Sequence, residues 1–257
     1  MHRSAFNARR IGSVTVEARS RESAIQLIRD ALESPRPNLI SFCNAHTVNL
    51  AASDPDFANF LKAFVIFNDG LGVDIASRIL YGEPFPANLV GTDFVPELLN
   101  ATCGLRVFLL GSATPVVEEA RRVLRERHPE HRFVGTHHGF FTEDEESAVI
   151  AKIRSAAPDL ILVGMGQPKQ EKWSARNLHD VPAVTMCVGA FLEFSAGSFR
   201  RAPSWVRAAR LEWAYRLALE PRRLATRYLV GNATFMARVF RDRAKQMRSF
   251  RRKPRKC

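Results

Sequence analysis

The segment Asn68-Asp69-Gly70-Leu71-Gly72 follows a short apolar run and combines a carboxylate with two glycines. Glycines allow a backbone to approach a ligand closely, and a carboxylate between a strand end and a helix start is well placed as a general base. An aspartate at such a turn can also simply cap the helix that follows. The residue types therefore leave two interpretations of Asp69, a catalytic base or a helix cap.

Two further glycine-containing segments could bind phosphate groups. Gly111-Ser112-Ala113-Thr114 ends another apolar run, and its backbone N–H groups could bind a phosphate at the N-terminus of the next helix. Gly164 and Gly166 begin like a dinucleotide fingerprint, but Lys169 stands where GxGxxG requires its third glycine. The incomplete fingerprint argues against a nicotinamide-dependent oxidoreductase. Both segments are also compatible with ordinary strand-to-helix turns.

The residues after Gly166 are polar, and Pro168 predicts the first turn of a helix. We expect Gln170 and Glu171 to project from that turn toward a bound polar ligand and Lys169 to face a phosphate. An exposed helix start with solvated polar residues is the alternative interpretation.

Several classes of site lack their signature in this sequence. The four cysteines form no CxxC pair and no histidine has HExxH spacing, so neither a zinc finger nor a catalytic metal is predicted. A Walker GxxxxGK[ST] segment and a GxSxG elbow are also missing. We therefore expect no metal, no cofactor and no serine-nucleophile chemistry.

Short apolar runs that end in small or polar residues alternate with helix-like patterns along the chain. The five runs are typical of strands buried on both faces, and they begin at Asn38, Phe64, Leu105, Asp159 and Ala183. The helix patterns cover 20–34, 71–80, 92–101, 114–128, 142–156 and 168–178. This order predicts an α/β fold, Rossmann-like, with a mostly parallel sheet and helices on both faces. In such sheets ligands bind beyond the carboxyl ends of the strands, where all the segments above would meet.

Charge divides the chain unevenly. The net charge is +12, yet residues 200–257 hold 18 Lys and Arg against three acidic residues, and the first 199 hold 20 basic and 23 acidic ones. We predict a body over 1–199, a basic helical appendage over 200–247 and a disordered basic tail over 248–257. Such a tail suits a polyanion, either nucleic acid or an anionic membrane surface. A basic nucleic-acid-binding α/β protein is thus an alternative function, although the tail has no aromatic-and-basic strand motif of the RNA-recognition type.

The appendage has the pattern of two amphipathic helices. One predicted apolar stripe contains Val206, Ala209, Trp213 and Leu217, with Arg207 and Arg210 beside it, and the other contains Leu224, Tyr228, Phe235 and Val239. Apolar stripes flanked by arginines are typical of helices that lie in a membrane interface. The stripes could equally pack on the body of the protein. No run of 18 apolar residues predicts a spanning helix.

Taken together and in order, these segments resemble one family. The strings FNDGLGV, VGTD, VFLLGS, HHGFF, LILVGMGQPKQEKW, VGAFLEFSAGSFRRAPSWVR and LEWAYRLALEPRRLATRY are similar to those of the WecG/TagA/CpsF glycosyltransferases, glycosyltransferase family 26. The resemblance extends from about Ile11 to Tyr228.

The resemblance implies an inverting, metal-independent transfer of N-acetylmannosamine or a related hexose from a UDP-sugar to a polyprenyl-diphosphate-linked saccharide. The reaction would belong to cell-surface or exopolysaccharide biosynthesis. The protein would then be cytoplasmic and peripheral on the inner face of a bacterial plasma membrane, with no nucleic-acid partner. A homo-oligomer remains open.

The resemblance also implies roles for individual residues. Asp69 is the expected base, ionised at neutral pH, with Gln170 as its catalytic companion and Asn44 in the same pocket. Arginines of the appendage would contact diphosphate. The expected substrate-binding residues are Asn44, Asn68, Gly70, Thr92, Gly111, Ser112, Gly164, Gly166, Lys169, Glu171, Arg216, Arg223 and Arg227. Thr226 stands where relatives often carry a basic residue, which is why Arg227 is the third arginine of this set.

Overall fold

The computed structural model describes residues 8–34, 36–198, 202–203, 205–206 and 212–252. Within these ranges it describes every side chain except those of Arg216, Arg223, Arg227 and residues 249–252.

Eight strands form one sheet in the order β1-β2-β4-β3-β8-β7-β5-β6. The β1–β2 pair is antiparallel and every other pair is parallel. The strands are β1 Ala8–Ile11, β2 Val14–Glu17, β3 Asn38–Cys43, β4 Phe64–Asn68, β5 Arg106–Gly111, β6 Arg132–His137, β7 Leu160–Gly164 and β8 Val184–Cys187. The carboxyl ends of all seven parallel strands therefore lie along one edge of the sheet.

Helices surround the sheet on both faces. They are α1 Arg21–Leu32, α2 Ala45–Ser53, α3 Pro55–Phe60, α4 Leu71–Tyr81, α5 Gly91–Asn100, α6 Thr114–Arg127, α7 Glu146–Ala156, α8 Lys169–Asn177, α9 Phe191–Ser195, α10 Glu212–Leu219, α11 Pro221–Ala225 and α12 Gly231–Arg252. Short 3-10 turns cover Leu61–Ala63 and Glu143–Glu145, and a π-helical turn, Thr226–Val230, joins α11 to α12.

The central strands are apolar on both sides because each side faces a helical layer. One core contains Ile66 and Val163 from the sheet together with side chains of α2, α4, α7 and α8. The other contains Ile40 and Leu109 together with side chains of α1, α5, α6 and α9. Such two-sided burial is expected for strands in a parallel sheet.

The predicted fold class is confirmed, and all five predicted strands and six predicted helices are present. The sequence prediction missed the β1–β2 hairpin, β6 and the helix pair α2–α3. β1 and β6 are the two edges of the sheet, and their exposed positions carry arginines and other polar residues that do not resemble a buried run.

The appendage packs on the body through α12, which crosses α2 and α4. Phe235 is 1% exposed and Val239 is 2% exposed, and both belong to the core of the body. Asn49 of α2 donates a hydrogen bond from Nδ2 to Gly231 O at 2.7 Å. The second predicted stripe therefore packs on the body through these residues.

The structure describes the start of the predicted tail and part of the first predicted stripe. α12 continues to Arg252, so the first residues of the tail predicted to be disordered are helical, and 253–257 lie outside the described residues. In the first predicted stripe Val206 is buried, whereas Arg207, Ala209 and Arg210 lie outside the described residues.

Candidate active site

Asn44 and Asp69 meet at the carboxyl ends of β3 and β4. The two strands are adjacent, and Cys43 is opposite Asn68 in the register, so the residues that follow them are neighbours. Asp69 also donates its backbone N–H to Cys43 O at 2.8 Å. The sheet thus brings together two predicted site residues that are 25 positions apart in the sequence.

The amide of Asn44 has a fixed orientation. Asn44 is the N-cap of α2, and its Oδ1 accepts hydrogen bonds from the backbone N–H groups of His46 at 3.0 Å and Thr47 at 3.2 Å. With the oxygen used in this way, the NH₂ group faces Asp69 and donates to its Oδ2 at 3.2 Å. The cap therefore turns Asn44 into a hydrogen-bond donor for the carboxylate.

Asp69 does not occupy the cap position of the helix that follows it. Gly70 is the N-cap residue of α4, with φ +87°, and no side chain makes a capping hydrogen bond there. Asp69 is half-buried. The structure therefore does not support the interpretation of Asp69 as the cap of α4.

The other side of the Asp69 turn is held by the loop between α4 and α5. Asn68 Nδ2 donates to Ala87 O at 2.7 Å, and Asn88 Oδ1 accepts the N–H of Gly70 at 3.0 Å. Asn68 is fully buried, so it holds the turn in place and its side chain is not at the surface. Asn88 was missed in the sequence because no local pattern links it to a turn 18 residues earlier.

Two arginines fix this loop in turn. Arg21 donates to Asn88 O at 2.8 Å and pairs with Glu97 of α5 at 2.5 Å. Arg9, nearly buried, donates to Pro84 O at 2.6 Å and to Ser77 Oγ at 2.6 Å. The Asp69 turn is therefore supported by charged side chains that lie outside the site itself.

Gln170 and Glu171 require a correction. We expected both to project toward a ligand, but Gln170 is 1% exposed and Glu171 is 0% exposed. Gln170 Oε1 accepts the N–H groups of Gly166 and Gly189, each at 3.2 Å, and so joins the ends of β7 and β8. Both side chains point into the protein below the strand ends.

The ends of β5, β6 and β7 come together through backbone contacts. Ser112 N donates to Gly164 O at 3.1 Å, and Gly139 N donates to Ser112 O at 2.9 Å. Gly111 has φ +143°, and a Cβ there would lie 2.2 Å from Gly164 O. Ser112 has a left-handed φ of +56°, and its hydroxyl donates to Glu193 Oε1 at 2.6 Å. Only a glycine at position 111 allows so close a crossing.

Lys169 and Phe140 lie beside this crossing. Lys169 Nζ donates to Gly139 O at 2.8 Å and lies over the ring of Phe141, 5.3 Å from its centroid. Phe140, between these two residues, is 75% exposed. An exposed aromatic ring, one residue from the backbone oxygen that an ammonium group contacts, offers a surface for a planar, negatively charged ligand. The GFF string was part of the sequence resemblance, but nothing in it distinguished the buried phenylalanine from the exposed one.

The remaining predicted residues lie at the same edge or outside the described side chains. Thr92 is in the first turn of α5, directly after Gly91, whose backbone packs against the ring of Phe42. Of Arg216, Arg223 and Arg227 the structure describes no side chain.

Burial raises the pKa of two groups near the site. Desolvation, and then the negative charge of Asp69, raises the pKa of the Cys43 thiol well above its usual value. Desolvation also raises the pKa of Glu171, against the opposing effect of hydrogen bonds from its neighbours. Cys43 therefore remains a neutral thiol beside Asp69 and does not compete with it as a base.

The described residues contain neither a metal-binding cluster nor a membrane-spanning helix. No group of three or more His, Cys, Asp or Glu side chains in the described ranges is placed to hold a metal ion. No helix in those ranges is long and apolar enough to cross a bilayer.

Comparison with known proteins agrees with the sequence resemblance. A profile of the Glycosyl transferase WecG/TagA/CpsF family matches residues 9–249. Relatives from Staphylococcus aureus strains NCTC 8325 / PS 47 and MRSA252 are each 34% identical over 198 residues, which is 76% of this chain and 77% of each relative. Both are named N-acetylglucosaminyldiphosphoundecaprenol N-acetyl-beta-D-mannosaminyltransferase. The chain therefore belongs to the WecG/TagA/CpsF family of glycosyl transferases and is an enzyme of the hexosyltransferase class.

Proposed function

We propose that this enzyme transfers N-acetylmannosamine, or a related hexose, from a UDP-sugar to a saccharide on a polyprenyl diphosphate, with inversion and without a metal. The observation that carries the proposal is the Asn44–Asp69 pair, a half-buried carboxylate whose Oδ2 accepts an oriented amide N–H at 3.2 Å. The names of the relatives support the sugar and the lipid-linked acceptor. Cell-surface or exopolysaccharide assembly is the pathway class we propose for it.

Asp69 would act as the general base. As the acceptor hydroxyl oxygen bonds to the anomeric carbon, its proton passes to the carboxylate of Asp69, and the bond from that carbon to the UDP oxygen breaks with its electron pair leaving on UDP. A direct displacement of this kind inverts the anomeric centre. Asn44, held by its capping bonds, keeps the carboxylate oriented toward the hydroxyl.

The departing diphosphate needs positive charge or hydrogen-bond donors. We propose that the appendage residues Arg216, Arg223 and Arg227 supply guanidinium groups for this purpose. Arginine suits the task because its planar fork binds two phosphate oxygens at once and stays protonated.

The other half of the edge suits the nucleotide part of the donor. Phe140 is exposed, and Lys169 Nζ donates to the backbone oxygen of Gly139, the residue before it. We propose that the base of the nucleotide stacks on the ring of Phe140 while Lys169 contributes positive potential, with the N-terminus of α6 nearby. Stacking of a base on an aromatic side chain typically contributes about 1–3 kcal/mol.

The outer face of α12 suits a membrane surface. Its inner face is occupied by the body, but Phe240 and Met247 on the other side are exposed, as are Leu229 and Val230 just before the helix. Arg241, Lys245 and Arg248 are exposed along the same side. We propose that this face, named here the outer α12 face, lies on the anionic inner leaflet of a bacterial plasma membrane and brings residues 1–199 to the lipid-linked acceptor. Each basic side chain near such a leaflet contributes about 1 kcal/mol.

The reaction is tested with purified enzyme, a panel of UDP-sugars and a polyprenyl-diphosphate-linked saccharide. We expect transfer from UDP-N-acetylmannosamine or a close analogue, unchanged by EDTA, and a product of inverted anomeric configuration by NMR. Asp69→Asn should lower kcat by about a thousandfold or more while donor binding measured by calorimetry persists. Asp56→Asn, at an exposed position in α3, is the matched control. Normal turnover in Asp69→Asn would refute the base, and loss of activity in EDTA with recovery in manganese would refute metal independence.

Membrane binding is tested separately by sedimentation with vesicles of phosphatidylglycerol or of phosphatidylcholine. We expect binding to the anionic vesicles alone, and a loss of at least tenfold in Phe240→Ser/Met247→Ser, because two exposed apolar side chains are lost. Phe140→Ser, an exposed apolar residue at the strand-end edge of the sheet, serves as the control. Equal sedimentation of the α12 variant and the control would exclude the outer α12 face as the membrane contact.

A further inference from the structure

Glu171 is a buried acceptor to which three donors converge. Its Oε1 accepts hydrogen bonds from Ser41 Oγ at 2.9 Å, Gln170 Nε2 at 2.8 Å and Gln167 Nε2 at 3.2 Å. These donors come from β3, from α8 and from the loop before α8. One carboxyl oxygen therefore connects three separate segments below the candidate site.

One branch of these bonds leads to Asp69. Gln167, with its Nε2 held by Glu171, accepts the hydroxyl hydrogen of Thr47 on Oε1 at 3.0 Å. Thr47 Oγ1 in turn accepts the backbone N–H of Asn44 at 3.1 Å, which completes the capping box of α2. Asn44 then donates to Asp69. Four consecutive hydrogen bonds thus link a fully buried side chain of α8 to the candidate base on the neighbouring part of the edge.

The other branch leads to the ends of β7 and β8. Gln170 donates to Glu171, which fixes its amide so that Oε1 accepts the N–H groups of Gly166 and Gly189. The same acceptor therefore bonds the amides of both Gln167 and Gln170, and Gln167 Nε2 also donates to Phe42 O at 3.1 Å.

We propose that Glu171 is a positioning residue for the transfer reaction: as a buried acceptor it orients Gln167, and through Thr47 and Asn44 it holds Asp69 in its reactive position. The inference rests on the proposed role of Asp69 as the base. It differs from a role in packing, because it requires that the effect of Glu171 passes through Asn44.

The charge state of Glu171 agrees with this role. Its second carboxyl oxygen, Oε2, is buried and has no hydrogen-bond partner among the described residues. A buried carboxylate with an unpartnered oxygen is costly, whereas a protonated carboxyl group keeps Oε1 as an acceptor without a net charge. Burial correspondingly raises the pKa of Glu171.

The experiment is a double-mutant cycle on kcat in the full-length enzyme. Glu171→Met removes the acceptor at nearly constant length, and we expect kcat to fall about 30- to 100-fold with the donor KM within about twofold, because misplacement of a reacting group lowers turnover at intact binding. Glu171→Gln keeps an acceptor oxygen and should restore kcat to within about fivefold of the wild type. Ser174→Ala, also buried in α8 but outside the bonded chain, is the matched control.

The decisive variant combines Glu171→Met with Asn44→Ala. If Glu171 acts through Asn44, the double variant is no slower than Asn44→Ala alone, whereas independent roles would multiply the two losses. Multiplied losses, or a Glu171→Gln variant as slow as Glu171→Met, would overturn the inference.

If Glu171→Met does not fold, the same test can be made at Thr47, which lies between Gln167 and Asn44 in the chain of hydrogen bonds. Thr47→Val removes the hydroxyl between Gln167 and Asn44 with little change in shape, and Thr47→Ser restores it. The same non-additivity with Asn44→Ala is expected. If Asp69→Asn stays active, the proposed function fails; if Asp69→Asn is inactive but the cycles are additive, only the positioning role of Glu171 fails.

Discussion

Around Asp69 the loops are held by side chains, whereas around Gly111 they are held by backbone groups that leave no room for a side chain. The first region contains Asn44, Asn68 and Asn88, each of whose amides bonds a specific atom. In the second region, Gly111 passes so close to Gly164 that a Cβ would overlap it. A supporting side chain can be replaced while the fold stays intact. A close backbone contact cannot be changed without moving the strands that make it. We therefore expect substitutions in the first region to change turnover and those in the second to change folding.

The largest effect expected from this comparison is that of Gly111→Ala. Its Cβ would lie 2.2 Å from a backbone oxygen of β7, and the residue has φ +143°, so strand ends must separate. We expect about 4 kcal/mol or more of destabilisation, in the range of the most severe single substitutions. Gly70→Ala is the matched variant, since its φ is +87° but no atom lies within 4 Å of the added Cβ.

Gly70→Ala should cost only the backbone strain of an alanine at φ +87° and ψ 173°, a region almost confined to glycine, about 1–3 kcal/mol. Urea unfolding of both variants, followed by circular dichroism, provides the measurement. Equal losses in the two proteins would show that close backbone approach is not what distinguishes the regions.

The next effect separates the two tasks of Asn44. Asn44→Asp retains an oxygen that can cap α2 but replaces the NH₂ group facing Asp69 with a second carboxylate oxygen. Like charges at that distance repel, so Asp69 should lose its orientation while α2 keeps its cap. We expect kcat to fall about 100-fold with a thermal midpoint within a few degrees of the wild type.

Asn44→Ala is the informative comparison for that prediction. It removes both the cap and the donor, so its stability should fall by about 1 kcal/mol in addition to the loss of turnover. A stable Asn44→Asp enzyme with normal kcat would contradict the proposed orientation of Asp69.

A smaller effect is expected in the pH dependence of the free energy of unfolding, through Glu171 in the hydrogen-bond network that leads to Asp69. The folded protein has a raised pKa at Glu171, so this group favours folding most below the pKa of the unfolded chain and loses that contribution as the pH rises through the folded pKa. Glu171→Gln has no proton to lose. The wild type should therefore lose stability relative to Glu171→Gln as the pH rises from about 4.5, by at most about 1.4 kcal/mol per pH unit.

Urea unfolding of the two proteins between pH 5 and 8 tests this dependence. Parallel stability curves would mean that burial does not raise the pKa of Glu171 into this pH range.

The same contrast explains what could be predicted from the sequence. Buried strands such as β5 and β7 are continuous apolar runs, and their glycine ends are visible as soon as the strands are identified. The Asp69 turn was equally visible from its two glycines. These features are local, so the order of elements and the edge of the sheet followed from them.

The supports of Asp69 are not local, and they were missed for that reason. Gln167 contacts Thr47 across 120 positions, and Glu171 contacts Ser41 across 130. Glu171 and Gln170 were expected to project toward a bound ligand because the polar residues after Gly166 and Pro168 predict a helix start at the edge of the sheet. Their burial is possible because Glu171 Oε1 and both polar atoms of the Gln170 amide have hydrogen-bond partners, several of them from other segments, which no local pattern in α8 reveals.

The smallest expected effect lies at the nucleotide end of the comparison. Phe140→Ala removes an exposed ring without disturbing the crossing beneath it, since Gly139 keeps its backbone bond to Ser112. If the ring stacks on the base of the donor, the loss of about 1 kcal/mol should raise the donor KM about fivefold with kcat nearly unchanged. Phe140→Tyr should retain the wild-type KM because it keeps the ring. Steady-state kinetics at varied donor concentration separates the two parameters. A fall in kcat at constant KM would instead mean that Phe140 takes part in turnover and not in donor binding, which would contradict its proposed role.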